Sequence, residues 1–425
     1  MQPENRPAGR GAGGFAGDQT AAWTRSYDKI TPEGTRDLLF EECEAVKRVE
    51  QALGAVFTGR GYHEVVTPGI EFLDVFNKPS SHFPQETMYK LVDAKGRLLV
   101  MRPDSTLPIA RLVGTRLKNA ALPLRLFYNQ PVYRAAARMN GRSDELIQTG
   151  IELIGCGSQR ADLEVLATAA AAFDGCGIDR YRLEIGHVGV FRALFDALDA
   201  DESQRAAVRQ LLQNRSYPAL NDLLDSLDDP TARLLRRLPR LFGGAEVLQE
   251  AAELFHGQDG IMELIGYLGR LYEDLVSLVG ADRLLIDLGL VNHNDYYTGI
   301  VFSGYLEGRG EAVLSGGRYD RLLGDFGAEL DAIGFGVDVD AVARHLLDRV
   351  TLAPPRLLVH GLDGCLPQAI RFAEEQIAAG QVCELSVFDA PDEAVRYARG
   401  KGIERIVLVG HTTESVLLLG EEAPE

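Results

Sequence analysis

Two apolar-alternating runs, PLRLFYNQPVYR at 123–134 and ELIQTGIELIG at 145–155, flank a polar segment that begins with three alanines, Ala135, Ala136 and Ala137. Period-two alternation describes strands with one buried face. The link is too short for a parallel crossover, so the two strands pair antiparallel. Similar runs lie at 97–102, 181–188, 283–291, 296–306, 312–317 and 332–339, several joined by short polar or glycine-containing links such as EGRGE at 307–311. The chain is therefore expected to be α+β, built on an antiparallel sheet flanked by helices.

Helical spacing sets the rest of the organisation. Leu39, Val46, Val49, Leu53, Val56 and Phe57 recur along one helix face before Gly61, and HEVVTP then forms a strand ended by Pro68. Residues 189–280 carry Leu, Ala and Arg at helical intervals with almost no β-branched runs, which marks a helical insertion. A helix over 338–349 closes the first domain, and Pro354-Pro355 marks a linker. RLLVHG, a helix from about Pro367 to Ala379, CELSVF, a helix at 392–400, RIVLVG and SVLLLG then describe a small α/β domain, whose helical crossovers imply parallel strands. The expected division is a disordered Gly/Ala-rich tail at 1–26, a main domain at 27–350 and a small domain at 351–425.

Composition excludes several function classes. No apolar run is long enough to span a membrane and no secretory signal is visible, so the cytoplasm is the expected compartment. Five scattered cysteines without a Cys-x-x-Cys pair read as small buried hydrophobes, and the histidines form no ligand cluster, so neither metal nor cofactor is expected. A formal charge of −18 argues against tracking a phosphate backbone, and no tRNA partner is expected.

Six segments occur in the order seen in histidyl-tRNA synthetases, of the class II aminoacyl-tRNA synthetase family. They are TPEGTRD from Thr31, GYHEVVTPGIEF, MYKLVDAKGRLLVMRPDST, the 134–155 hairpin, NDYYTGIVFSGY and SGGRYDRLL. ITPEGTRDLLFEE, YKLVDAKGRLLVMRPDSTLPIARL and YYTGIVF are also similar to the synthetase-like regulatory subunits of ATP phosphoribosyltransferase. The resemblance implies a class II core followed by a shortened relative of the anticodon-binding domain.

Forming an aminoacyl-adenylate needs cations around the triphosphate. By resemblance, Arg134 is the second-motif arginine, but Ala135–Ala137 stand where a polar His-Glu-Arg triplet belongs. Asp144 and Glu145 place carboxylates where they would repel a polyphosphate. Asn292 and Ala341 replace two further arginines. The resemblance thus comes without the adenylation machinery.

The amino-acid pocket is kept. Asp104, Ser105, Thr106 and Gln148 match positions that surround an α-ammonium group, while Glu152 and Tyr297 match those that meet the imidazole, with Tyr296 and Tyr319 lining the site. Gln148 and Glu152 lie four apart on one strand and share a face, and Arg134 is the candidate for the ligand carboxylate. Gly316-Gly317 before Arg318-Tyr319 allows close backbone approach. Binding without reaction implies a non-catalytic histidine sensor. The resemblance supplies a catalytic phosphoribosyltransferase partner in a hetero-octamer, and a homodimer through about residues 36–70.

Overall fold

The computed structural model describes residues 27–135, 143–214, 216–290, 296–411 and 414–418; the expected tail at 1–26 lies outside them. They fall into two units, one ending at Leu347 and one starting at Asp348. The first opens with α1 (Phe40–Thr58) and the short strands β1 (His63–Glu64), β2 (Ile70–Phe72), β3 (Asn77–Lys78), β4 (Ser81–His82), β5 (Lys90–Val92) and β6 (Leu98–Met101). Then follow α2 (Thr106–Arg116), β7 (Leu124–Tyr133), β8 (Glu145–Ile154), α3 (Gln159–Gly175) and β9 (Tyr181–His187). Helices α4 (Val188–Ala197), α5 (Glu202–Gln213), α6 (Tyr217–Asp225), α7 (Pro230–Arg237), α8 (Glu246–Leu254) and α9 (Asp259–Val279) form the insertion, broken by the two-residue strand β10 (Phe242–Gly243). The unit closes with β11 (Leu284–Asp287), β12 (Ile300–Leu306), β13 (Ala312–Arg318), β14 (Ala332–Asp338) and α10 (Val339–Leu346).

Nine strands make one sheet in the order β1-β7-β8-β14-β13-β12-β9-β11-β10. Its pairings are antiparallel except β1 with β7 and β9 with β11. The strand anticipated across HEVVTP shrinks to His63–Glu64: Val65 still donates to the Phe127 carbonyl, but Val66 is 75% exposed and the proline that follows Thr67 has no N–H. The run at 296–306 becomes a strand only at Ile300. Before it, the Thr298 amide donates to Arg318 and the Gly299 carbonyl accepts from Val188.

The register gives the sheet two distinct faces. At the back, Phe57 of α1 meets Phe127 and Phe335, and Phe302 meets Phe335. α1 forms because Ala45, Val46, Val49, Leu53 and Phe57 bury one stripe there. At the front, Leu126, Glu152, Gly334, Gly317 and Val301 align across five strands. A cluster from α2 and the 296–297 segment covers them, including Leu107, Ala110, Val113, Tyr296 and Tyr297.

The second unit contains β15 (Leu357–Gly361), α11 (Leu366–Ala378), β16 (Cys383–Leu385), α12 (Pro391–Lys401), β17 (Arg405–Val409) and β18 (Glu414–Leu418). Its order is β16-β15-β17-β18. The first three strands are parallel, as the helical crossovers require, whereas β18 runs antiparallel to β17 because the link between them is short. The cysteines depart from expectation: only Cys365 is buried, Cys43 is exposed, and Cys156, Cys176 and Cys383 are half-buried.

Candidate functional site

Glu152 lies at the centre of the front face with 1% of its surface exposed. The Thr106 hydroxyl donates to one carboxyl oxygen at 2.8 Å, and the Tyr319 hydroxyl donates to the other. Burial raises its pKa to about 8. Both hydrogen bonds act against this rise and the charge of Asp104 adds to it. At neutral pH the site therefore holds a largely protonated carboxyl group.

Glycines let the polar side chains lie across the sheet. A Cβ on Gly334, which pairs with Glu152, would sit 1.9 Å from the Glu152 carboxylate. One on Gly336 would come within 2.6 Å of Gln148 Nε2, and one on Gly150 within 2.5 Å of the Tyr128 hydroxyl. Close approach, rather than an unusual backbone angle, is what these positions demand.

α2 brings its first turn to the same place. Asp104 Oδ1 accepts from the amides of Thr106 at 2.8 Å and Leu107 at 3.2 Å, and Pro108 has no N–H to leave unpaired. Asp104 is buried, and desolvation raises its pKa against the opposing charge of Arg134. Its other oxygen faces Arg134 Nη2 at 3.8 Å. Arg134 sits at the rim, its side chain 40% exposed, with Nε donating to the Pro103 carbonyl at 2.6 Å. Beneath them the buried guanidinium of Arg102 donates to the carbonyls of Thr67, Pro68 and Pro131, fixing three segments to one another.

Tyr296, Tyr297 and Tyr319 are all buried, with the Tyr296 ring tilted against that of Tyr297 at 4.8 Å and edge-on to Tyr319 at 5.8 Å. Arg192 of α4 donates to the Tyr297 carbonyl at 2.9 Å, tying the insertion to the site. Ser105 Oγ and Gln148 Oε1 are buried with no hydrogen-bond partner among the described residues, a state that native interiors rarely tolerate without a further partner.

The structure thus brings Thr106, Glu152 and Tyr319 into direct contact, with Asp104, Ser105 and Arg134 beside them, Tyr296 packed on Tyr319 and Tyr297 on Tyr296. Gln148 stands farther along β8, over Gly336 with Tyr128. Arg318 is absent from this group. It points to the back face, where Nε and Nη2 donate to Asp162 at 2.9 and 2.5 Å and Nη1 donates to Cys156 O and Asp320. Sequence reasoning missed Tyr128, Arg102 and Arg192. A tyrosine facing a glycine in register, Tyr128 with Gly150, was the available signal for the first.

On the side expected to handle phosphate, Ala136, Ala137 and Asn292 lie outside the described residues. Ala135 donates its amide to the Thr87 carbonyl. The Asp144 carboxylate accepts from the Tyr89 hydroxyl, and its amide donates to Gly34 at 2.7 Å, so this acid anchors the base of the hairpin. Ala341 is buried in α10, its amide capped by Asp338 at 2.9 Å. Among the described residues no group of three His, Cys, Asp or Glu side chains could hold a metal ion, and no helix is long and apolar enough to cross a membrane.

Residues 34–342 match the histidyl-tRNA synthetase family. An ATP phosphoribosyltransferase regulatory subunit from Clostridium kluyveri is 37% identical over 386 residues, which cover 89% of this chain and 98% of that protein. One from Bacillus cereus is 36% identical over 388 residues, covering 90% and 92%. The crystal structure of an ATP phosphoribosyltransferase regulatory subunit/histidyl-tRNA synthetase from Bacillus halodurans superposes with a TM-score of 0.80 at 32% identity, covering 90% of this chain and 99% of that one. The histidyl-tRNA synthetase of Nostoc shares the fold, with a TM-score of 0.75 at 18% identity over 92% of this chain and 97% of that one.

Proposed function

Because the chain belongs to the histidyl-tRNA synthetase family and, within it, to the ATP phosphoribosyltransferase regulatory subunits, we propose that it is the histidine-sensing, non-catalytic member of that enzyme complex. It pairs with a separate catalytic subunit, in a hetero-octamer by resemblance, and bound L-histidine acts as the feedback inhibitor. Such inhibition requires histidine to bind two states of the complex with different affinity.

The observation that carries this reading is the buried Glu152 carboxyl, held by Thr106 and Tyr319 in a site whose nearby Ser105 and Gln148 oxygens have no partner among the described residues. A carboxyl in this place is suited to an imidazole N–H. The free oxygens of Ser105 and Gln148 suit an ammonium group, and Arg134, half-exposed at the rim, suits a carboxylate. Ala135 and Ala341 offer nothing to a triphosphate. We expect purified protein to bind L-histidine in calorimetry and to show no histidine-dependent exchange of pyrophosphate into ATP. Robust exchange would instead support a working synthetase.

The subunit also pairs with itself in this reading. Ile70, Phe72 and Leu91 are exposed on the three-stranded sheet β2-β6-β5, next to the first-motif region. An apolar patch of this kind marks an interaction surface. Ile70→Glu should convert the sedimenting dimer to monomer; an unchanged dimer would remove this face from the interface.

A further inference from the structure

On the back face of the sheet, away from Glu152, a cleft of ≈ 910 Å³ opens between α9 and the strands. It lies within the usual size range of small-molecule sites. Asp162, Arg318, His187 and Ile300 form its floor, and one face of α9 forms its wall. Gly157, Gly266 and Gly299 keep it open.

On the floor Arg318 stands between two carboxylates, Asp162 and Asp320. Arg318 donates twice to Asp162 Oδ1, and the Tyr267 hydroxyl donates to the other Asp162 oxygen. His187 accepts the Gly189 amide at Nδ1, which leaves its proton on Nε2. Burial, reinforced by the charge of Arg192, lowers its pKa to about 4, so it remains neutral. The α9 wall adds further charges to the cleft.

Those charges are separated by sign. Asp259 and Glu263 stand at one end and Arg270 at the other. Glu263 and Arg270 are two helical turns apart, about 10 Å along the axis, and share a face; Arg270 Nη1 reaches back to 3.6 Å from where a Cβ on Gly266 would sit, so the charged groups lie closer than their backbones. None of the three has an ion-pair partner among the described residues. Placing acids near a helix N-terminus is favourable by itself and accounts for Asp259 in the first turn. That effect fades within one turn and explains neither Glu263 nor Arg270. Between the two ends, Met262, Leu264 and Ile300 supply apolar surface.

We propose that this cleft is a second ligand site, taking a small linear zwitterion whose opposite charges lie less than about 10 Å apart, its cation toward Asp259 and Glu263 and its anion toward Arg270. The site is independent of the histidine reading, since it shares none of the residues assigned to that pocket. It adjoins the pocket only through the chain, with Arg318 in the cleft and Tyr319 on Glu152.

The test uses 8-aminooctanoate, whose flexible chain can adopt that spacing, with octanoate, octylamine and glycine as comparators, titrated onto the full-length protein by saturation-transfer NMR. We expect saturable binding of 8-aminooctanoate in the millimolar range and weaker binding of every comparator. Glu263→Gln and Arg270→Gln are exposed substitutions that should leave the melting curve intact, and each should weaken binding about threefold, the size of an exposed ion pair. Absence of saturation, equal binding of a singly charged comparator, or unchanged binding by both variants would each overturn the proposal.

Discussion

Replacing Glu152 with glutamine should make the ligand-free protein more stable at neutral pH while weakening its hold on histidine. The Glu152 pKa is raised from 4.5 to about 8 by burial. Between those values the unfolded chain carries an ionised carboxylate and the folded chain a protonated one. The folded state then binds one more proton, so stability falls by about 1.4 kcal/mol for each pH unit. The contribution is fully present below pH 4.5 and is lost as pH rises through about 8. The full span corresponds to roughly 5 kcal/mol, of which about 3 has been lost by pH 7. Glutamine never ionises and keeps the shape, but it offers one acceptor where Thr106 and Tyr319 both donate, at a cost of about 1 kcal/mol. The net expectation at pH 7 is a gain of about 2 kcal/mol for Glu152→Gln. Urea denaturation from pH 5 to 8 should show the wild type losing stability relative to the variant as pH rises. Parallel curves across that range would refute the buried, protonated carboxyl.

Two further substitutions test the parts around it. Gly334→Ala places a methyl group 1.9 Å from the Glu152 carboxylate. It should weaken histidine binding at least tenfold and cost about 2 kcal/mol of stability, read by calorimetry and urea denaturation. Asp162→Asn removes one of the two carboxylates paired with the buried Arg318, leaving Asp320, and should cost about 2–3 kcal/mol in urea denaturation. Adding Arg318→Met should recover part of that loss, whereas strictly additive losses would mean that the two side chains do not act as a pair.

The parts of this molecule legible in its sequence are those written in local periodicity. The alternation of β7 and β8 and the stripe of α1 each depend on residues a few positions apart. So does the shared face of Gln148 and Glu152. What escaped depends on residues far apart in the chain. Arg318 meets Asp162 across 156 positions, and Asp144 meets Tyr89 across 55. Arg318 sits one residue before Tyr319, so strand alternation sends it to the opposite face, and the motif that unites the two does not reveal this. The role of Gly334 and Gly336 was similarly hidden, since their need for no side chain comes from Glu152 and Gln148 on the neighbouring strand.

Reconstitution tests the central claim most directly: phosphoribosyl transfer to ATP by a short-form catalytic subunit, measured with and without this chain over a histidine titration. Activity should rise when the two are mixed and fall as histidine is added, and Glu152→Gln should shift the inhibition curve to higher histidine concentration. Activity indifferent to this chain, or inhibition unchanged by the substitution, would contradict a histidine-sensing regulatory subunit built around Glu152.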